Sequence, residues 1–386
     1  MGDWSEINYD MLVLIAKRFN LIEDYLNFAS VCKSWRRAAT NKNFNTNLRR
    51  VPWLMLAEEE GNSSRQLVSF YNGGMIMKKK IPKATGKRCM ETMGWLVTVG
   101  KDEGEISLLH PFSGAHIELP HQNTTKNYHT HYQTGELWTY FHKAVLSASL
   151  SETSDYVLMV IEGGVKFLSY WRPGNLRWTR LINKSPHVAH RDVIYFDGKF
   201  YAVDWRGQVL VCHIESNHTQ VVAQLAREYD GEELYIVESL GTLFIVVRHG
   251  VGLRCITDDR ERIPLTLTQD DIFDDLDEEL TYGTTNIRVF EVDLVTGKLT
   301  QTKELGDRAF FIGHNASRSV QPLGIKPNHI YFTDDYWESY LSFEEGGGLD
   351  MGVFNLADGI ILPVPHYKGV SLSPVCPPTW VTPTLY

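Results

Sequence analysis

His129 and His131, in "YHTHY", are the first residues whose spacing could do chemistry. Residues two apart share one face of a strand, so the pair could begin a metal site. A zinc site needs three or four ligands, and the neighbouring text supplies no third, so a surface pair is the reading kept. Ser30 and Lys33 have the Ser-x-x-Lys spacing of one kind of serine nucleophile, but its companion motifs are missing. "TQDDIFDDLDEEL", Thr268 to Leu280, concentrates carboxylates. A calcium loop needs oxygen ligands at fixed positions and a glycine at its turn. This run has no glycine and is broken by Ile272, Phe273 and Leu276, so it reads as a solvated acidic loop. "KKKIPKATGKR", Lys78 to Arg88, reads as a solvated basic loop, and "GGGLD", Gly346 to Asp350, as a flexible turn.

The chain has no phosphate-cradling glycine loop with Lys-Ser/Thr, no G-x-G-x-x-G, no H-E-x-x-H and no G-x-S-x-G elbow. No catalytic set, metal or cofactor is expected from these residues. The 386 residues are 43% hydrophobic and 22% charged, an ordinary globular composition, and the net charge of -9 argues against a nucleic-acid binder. Five cysteines, widely spaced and without C-x-x-C, read as reduced thiols. The first residues have no basic and apolar leader pattern, and no apolar run is long enough to span a bilayer. Neither a membrane partner nor secretion is expected, and the location expected is cytoplasm or nucleus.

Two kinds of element must position whatever this chain binds. Residues 7–40 read as three short helices. "YDMLVLIAKRF" carries Met11, Leu12, Ile15 and Phe19 on one side, with Asn8 as N-cap and Asp10 in the first turn. "IEDYLNFASV" and "VCKSWRRAA" supply the second and third. Three helices in about forty residues lie near the lower size limit for independent folding, so a partner surface is expected. From Pro52 onward the text turns to short β-branched and aromatic runs broken by Gly, Asp and Asn, a strand signature. "DVIYFDGKFYAVD" is a hairpin with Asp197-Gly198 at its turn.

The strands group in fours: Cys89 to Pro120, Lys143 to Ile182, His190 to Leu225, Glu233 to Leu305 with the acidic insertion, and Arg308 to Pro365. Trp53 to Ile81 has three, and "PPTWVTPTL" near the C-terminus can supply the fourth. About forty residues per unit is the period of a propeller blade, and pairing the two ends in one blade removes exposed edges. The fold expected is mainly β: a six-bladed propeller, or seven-bladed if the insertion is misread, preceded by three helices.

"INYDMLVLIAKRF…EDYLNFASVCKSWRRAA" resembles an F-box. Ile7, Asp10, Met11, Leu12 and Ile15 fall in register with that family's first part, and Val31, Cys32, Lys33, Trp35 and Arg36 match its last part without a gap. Asn8 stands where the family usually has proline; it can cap the same helix end, and the contact proline makes to an adaptor would weaken. "GWLVTVG…ISLLHPFSGAHIELP", "RDVIYFDGKFYAVDWRGQVLV", "YIVESLGTLFIVVR", "VFEVDLVTGKLTQTKELGDRAFFIG" and "NHIYFTDD" resemble the KIB-type β-propeller of plant F-box proteins. The resemblance implies an F-box domain over 1–48, a propeller over 49–386, and a substrate receptor of an SCF-type cullin-RING ubiquitin ligase. It implies a Skp-type adaptor, a cullin through it, and a protein substrate as partners. Ile7, Asn8, Met11, Leu12, Ile15, Phe19, Leu26, Val31 and Trp35 are the candidates for the adaptor side, some of them core. Trp171, Trp205, Tyr336 and Trp337, near turns, are candidate substrate anchors. A non-catalytic scaffold with a degenerate F-box, or an enzyme with acids and histidines converging on the inner strands, are the alternatives. Helices packed fully against the β-domain would refute the adaptor reading; an apolar patch left open would fit it.

Overall fold

The computed structural model describes residues 6–19, 22–40, 43, 51–58, 63–70, 75–100, 104–126, 128, 141–183, 188–252, 254–255, 280–321, 324–336, 347–365, 367, 373 and 376–384. Three helices, α1 (Tyr9–Ala16), α2 (Ile22–Ser30) and α3 (Lys33–Ala38), precede a six-bladed β-propeller. The first blade is closed by both ends of the chain. Thr379–Val381 forms its inner strand and pairs antiparallel with Trp53–Met55, which leads outward to Ser64–Ser69 and Met75–Lys80. The inner strands of the next four blades are Lys87–Thr92, Phe141–Leu146, His190–Phe196 and Glu233–Ser239.

Blades stack face to face, so alternate residues of a strand serve two different neighbours. Ala144, Leu146, Leu158 and Val160 of the third blade pack toward the second. Val145, Met159 and Ile161, the residues between, pack toward the fourth. Repeated round the ring, this gives one apolar seam for each pair of adjacent blades. The alternation of two buried faces explains why these strands read as near-continuous apolar runs.

The sixth blade departs from the expected four strands. It has five, in the order Arg318–Val320, Ala309–Ile312, His329–Phe332, Gly352–Asn355 and Ile361–Pro363. The chain enters at Ala309–Ile312, drops into the centre to form the inner strand, then returns outside its own entry strand, so Ala309–Ile312 and His329–Phe332 run parallel. Gly313 makes the turn inward at φ +151°, where a Cβ would lie 2.0 Å from Thr333 Oγ1. The basic run is likewise not a loop. Met75–Lys80 is the outer strand of the first blade, where the exposed Lys78 and Lys80 blunt the edge. Arg88 lies on an inner strand and is buried. His129, His131 and Thr268 to Glu279 of the acidic run lie outside the described residues. Cys89, Cys212 and Cys376 are buried free thiols, and Cys32 is a half-buried one.

Two-residue turns with both φ values positive close the innermost hairpin of three blades, at Met93-Gly94, Asp197-Gly198 and Leu240-Gly241. Leucine gains nothing from this position, since its φ is +53° and its side chain is 71% exposed. Leu240→Asn is expected to raise the unfolding free energy by about 0.5–1 kcal/mol, because asparagine tolerates the left-handed conformation; equilibrium urea unfolding reads this directly. Trp380 is fully buried and donates from Nε1 to Ile312 O at 3.0 Å, joining the closing strand to the sixth blade. In the same assay Trp380→Ala is expected to cost about 3–5 kcal/mol.

Candidate functional site

The helices build a small core of their own. Leu12 and Ala16 of α1, Ile22, Tyr25 and Phe28 of α2, and Ala38 of α3 are buried together, separate from the seams of the propeller. Asn8 caps α1 as expected, its Oδ1 accepting from Asp10 N at 2.8 Å. Tyr25 Oη donates to Thr40 O at 2.7 Å and ties α2 to the chain beyond α3. Phe28 packs between Phe19 and Trp35, with ring centroids 5.4 and 4.6 Å away. Arg36 Nε donates to Ala29 O at 3.3 Å, holding α3 against α2.

This core sorts the candidate adaptor residues. Leu12 is only 1% exposed and lies inside, so it supports the face without belonging to it. Ile7, Phe19, Leu26 and Trp35 are half-buried and pack on the core. Met11 and Val31 are more than half exposed, Ile15 is 37% exposed, and Asn8 is exposed. The stripe read as one side of α1 therefore straddles two. Leu12, Ala16 and Phe19 turn inward, while Met11, Leu14 and Ile15, at i, i+3 and i+4, turn outward. Leu14 and Tyr9, both more than half exposed, were missed; the i, i+3, i+4 pattern in "MLVLI" carries the signal. The helical unit thus closes a core and leaves several large apolar side chains exposed.

The candidate substrate anchors do not come together. Trp171 is buried between the second and third blades, near Tyr156, with Nε1 donating to Asn175 O at 2.8 Å. It is packing, not an anchor, because its alternate position on the strand points it into a seam. Trp205 is half-buried and carries the Arg206 guanidinium 4.8 Å from its ring. Tyr336 is half-buried against Tyr282, ring centroids 5.1 Å apart. Trp337 lies outside the described residues.

The centre of the propeller is filled by the chain itself. Residues 313–317 run down the channel, and Ala316 N donates to Glu91 O at 2.8 Å. Lys143 and Asp192, both buried, pair at 2.9 Å beside this segment. Lys143 Nζ also donates to Gly313 O at 2.8 Å, and Asp192 Oδ2 accepts from Ser317 Oγ at 2.6 Å and Ile236 N at 3.1 Å. Four blades are thus pinned to one buried ion pair whose hydrogen-bonding capacity is met. Arg248, fully buried, reaches Asp350 Oδ2 and Thr333 O at 2.8 Å each and Tyr235 Oη at 3.0 Å, with Phe332 beneath it. Asp350, read as part of a flexible turn, is held by this arginine, and Gly348 N donates to Asp334 Oδ2 at 2.7 Å.

At the mouth of the channel His314 Nδ1 lies 3.3 Å from Arg88 Nη2. A guanidinium can only donate, so Nδ1 accepts and the ring proton sits on Nε2. Burial, then the charges of Arg88 and Lys143, hold His314 well below the usual histidine range. His142, donating to Gly163 O at 3.0 Å, is lowered in the same way by burial, Lys166 and Arg88.

Comparison with known proteins covers both parts of the chain. The F-box domain model matches residues 4–47, and the KIB1-4 beta-propeller model matches residues 67–355. The chain is similar to F-box protein SKIP23 of Arabidopsis thaliana, 25% identical over 417 residues, covering 99% of this chain and 96% of that protein. It is similar also to F-box protein At2g17036 of Arabidopsis thaliana, 23% identical over 413 residues, covering 99% and 95%.

Holding His314 neutral has a consequence for stability. An unfolded histidine takes up a proton below about pH 6.5, the folded one does not, so its contribution falls as pH falls. Asp334, raised to about 6 by burial, acts in the opposite sense, so the variant comparison isolates the imidazole. Between about pH 6.5 and 5 the wild type is expected to lose up to about 2 kcal/mol more than His314→Gln, read by urea unfolding at each pH. Parallel curves for the two proteins would contradict a neutral His314.

Proposed function

The chain belongs to the plant F-box proteins that carry a KIB1-4 β-propeller, and from that premise we propose that it is the substrate-receptor subunit of an SCF-type cullin-RING ubiquitin ligase. Residues 1–48 form the docking unit for a Skp-type adaptor, and 49–386 form the unit that recruits a protein for ubiquitylation. One observation carries this reading: the helical unit closes its own core and still leaves Tyr9, Met11, Leu14, Ile15 and Val31 open. A unit held only by the propeller would have turned that surface inward.

The mechanism is positional. A recruited protein held on the propeller has its lysines kept near a charged ubiquitin-conjugating enzyme, and the tether raises their effective concentration. No side chain of this chain acts as acid, base or nucleophile in that scheme. Rigidity is what the receptor contributes, since a loosely held substrate dilutes the effect.

Asn8 bears on affinity. It preserves the helix start through its side-chain cap, and what it lacks is the apolar ring of the usual proline. Capture of a purified plant Skp-type adaptor by full-length protein tests the reading. Met11→Asp/Ile15→Asp is expected to lower the affinity by about a hundredfold or more while leaving the thermal unfolding midpoint in place, since both positions are exposed. Asn8→Pro is expected to raise it. A folded wild type that captures no adaptor, with no rescue by Asn8→Pro, would instead favour a propeller scaffold.

A further inference from the structure

Acidic residues outnumber basic ones in this chain, yet residues 28–57 and 61–90 contain no Asp or Glu. Glu58, Glu59 and Glu60 alone separate the two runs. The fold brings parts of both runs together where the helices approach the first blade. Burial and the charge of Arg36 on α3 lower Lys79, which lies on the outer strand Met75–Lys80. Lys79 Nζ donates to Phe112 O at 3.1 Å, so this side chain is turned toward the second blade. Alternation turns Ile76, Lys78 and Lys80 to the other face, and all three are exposed. Lys83, just beyond the strand, is exposed, as is Arg36.

These cations are not neutralised from within. Among the described residues none of Arg36, Lys78, Lys80 and Lys83 forms an ion pair. Glu58 is taken up by Arg65 at 3.1 Å, and Glu105 by Lys87 at 2.8 Å. Glu118 also faces this cluster, acting on His116 against burial, Lys83 and Lys87. It leaves Arg36, Lys78, Lys80 and Lys83 in excess.

The same strand is an open edge. Met75–Lys80 pairs with Ser64–Ser69 on one side, and no described strand lies on the other. Its outward backbone groups can pair with an added strand. The lysines decide which strand that is, because like charges directly opposite destabilise a strand pair and opposite charges stabilise it. A second copy of this edge is repelled. A segment carrying Asp or Glu is favoured, and Ile76, 52% exposed, gives it an apolar contact. Val31, one of the exposed apolar residues of the helical unit, precedes α3, and Arg36 lies on that helix. A partner docked on the helices therefore meets the cationic edge where α3 approaches Lys79.

Resting on the receptor reading above, we propose that the outer strand Met75–Lys80 is a second docking element for the Skp-type adaptor, which lays an acidic extended segment along it. The contact is separate from the open side of α1 and adds charge selectivity to an apolar interface. It also fixes the propeller relative to the adaptor, since a partner held at two places cannot swivel about one.

The test measures capture of a purified plant Skp-type adaptor by full-length protein at about 50 mM and about 300 mM salt. Lys78→Glu/Lys80→Glu is expected to lower the affinity by about tenfold or more at the lower salt. The loss is expected to shrink at the higher salt, where screening removes most of the attraction. Both lysines are exposed, so the thermal unfolding midpoint is expected to stay in place. Lys78→Gln/Lys80→Gln is expected to fall between wild type and the charge reversal. Hydrogen exchange of the wild-type complex is expected to show added protection over Met75–Lys80. Unchanged affinity in the charge-reversed variant, or a loss without protection of that strand in the wild-type complex, would overturn the proposal and leave the receptor reading standing. A folded wild type that captures no adaptor, with no rescue by Asn8→Pro, overturns both. Binding of a fluorescein-labelled single-stranded oligonucleotide that the charge reversal abolishes, with adaptor capture unchanged, would show a nucleic-acid surface instead and overturn the protein partner.

Discussion

Everything the propeller presents depends on one short antiparallel pairing, Trp53–Met55 with Thr379–Val381. A ring of stacked blades has no stable partial form in which every apolar face is covered, because each blade covers its two neighbours. Without the closing strand, the first blade loses its inner edge and two seams lose Trp380 and Val381. The pairing joins residues more than three hundred positions apart, so it forms only when the rest of the ring is nearly in place. Closure also makes the centre rigid, and a rigid centre lets polar groups from several blades be held at fixed separations.

The polar centre then follows from what closure encloses. A channel lined by inner strands brings together starts of strands that are far apart in sequence. Here the sixth blade fills it with residues 313–317, and the Lys143–Asp192 pair and the Arg248 cluster satisfy the groups trapped around that segment. Replacing one partner of such a pair leaves the other charge buried and costs several kcal/mol, so the network fixes the register of the blades whether or not it adds net stability. The helices stand outside this economy of space. Their core is too small to cover all of α1, and the side left open is apolar.

How much of this was legible in the sequence depended on how local the cause was. The N-cap at Asn8 and the Asp197-Gly198 turn are decided within a few residues and were readable. The blade units were readable because the strand period repeats, and the closing strand because one unit was a strand short. The five-stranded sixth blade was not, since nothing in "AFFIGHNASRSV" distinguishes an inner strand that doubles back from a hairpin; the close approach of Thr333 to Gly313 decides it. Leu12 and Met11 are neighbours in an almost wholly apolar helix, so only packing against Tyr25 and Phe28 separates core from surface. Trp171 misled because an aromatic near a turn reads the same whether it points outward or into a seam. Lys143, Asp192 and Arg248 sit inside apolar runs as isolated charges, a signal that a buried partner exists but not where.

The central claim is that the open side of α1, with Val31, is the docking surface of a receptor whose propeller lies apart from it. Hydrogen exchange of the full-length protein, with and without a purified Skp-type adaptor, tests it directly. The account predicts added protection over residues 9–16 and around Val31, with exchange in the inner strands of the propeller unchanged. Protection confined to the propeller rim, or none anywhere under conditions where the two proteins co-elute, would contradict it.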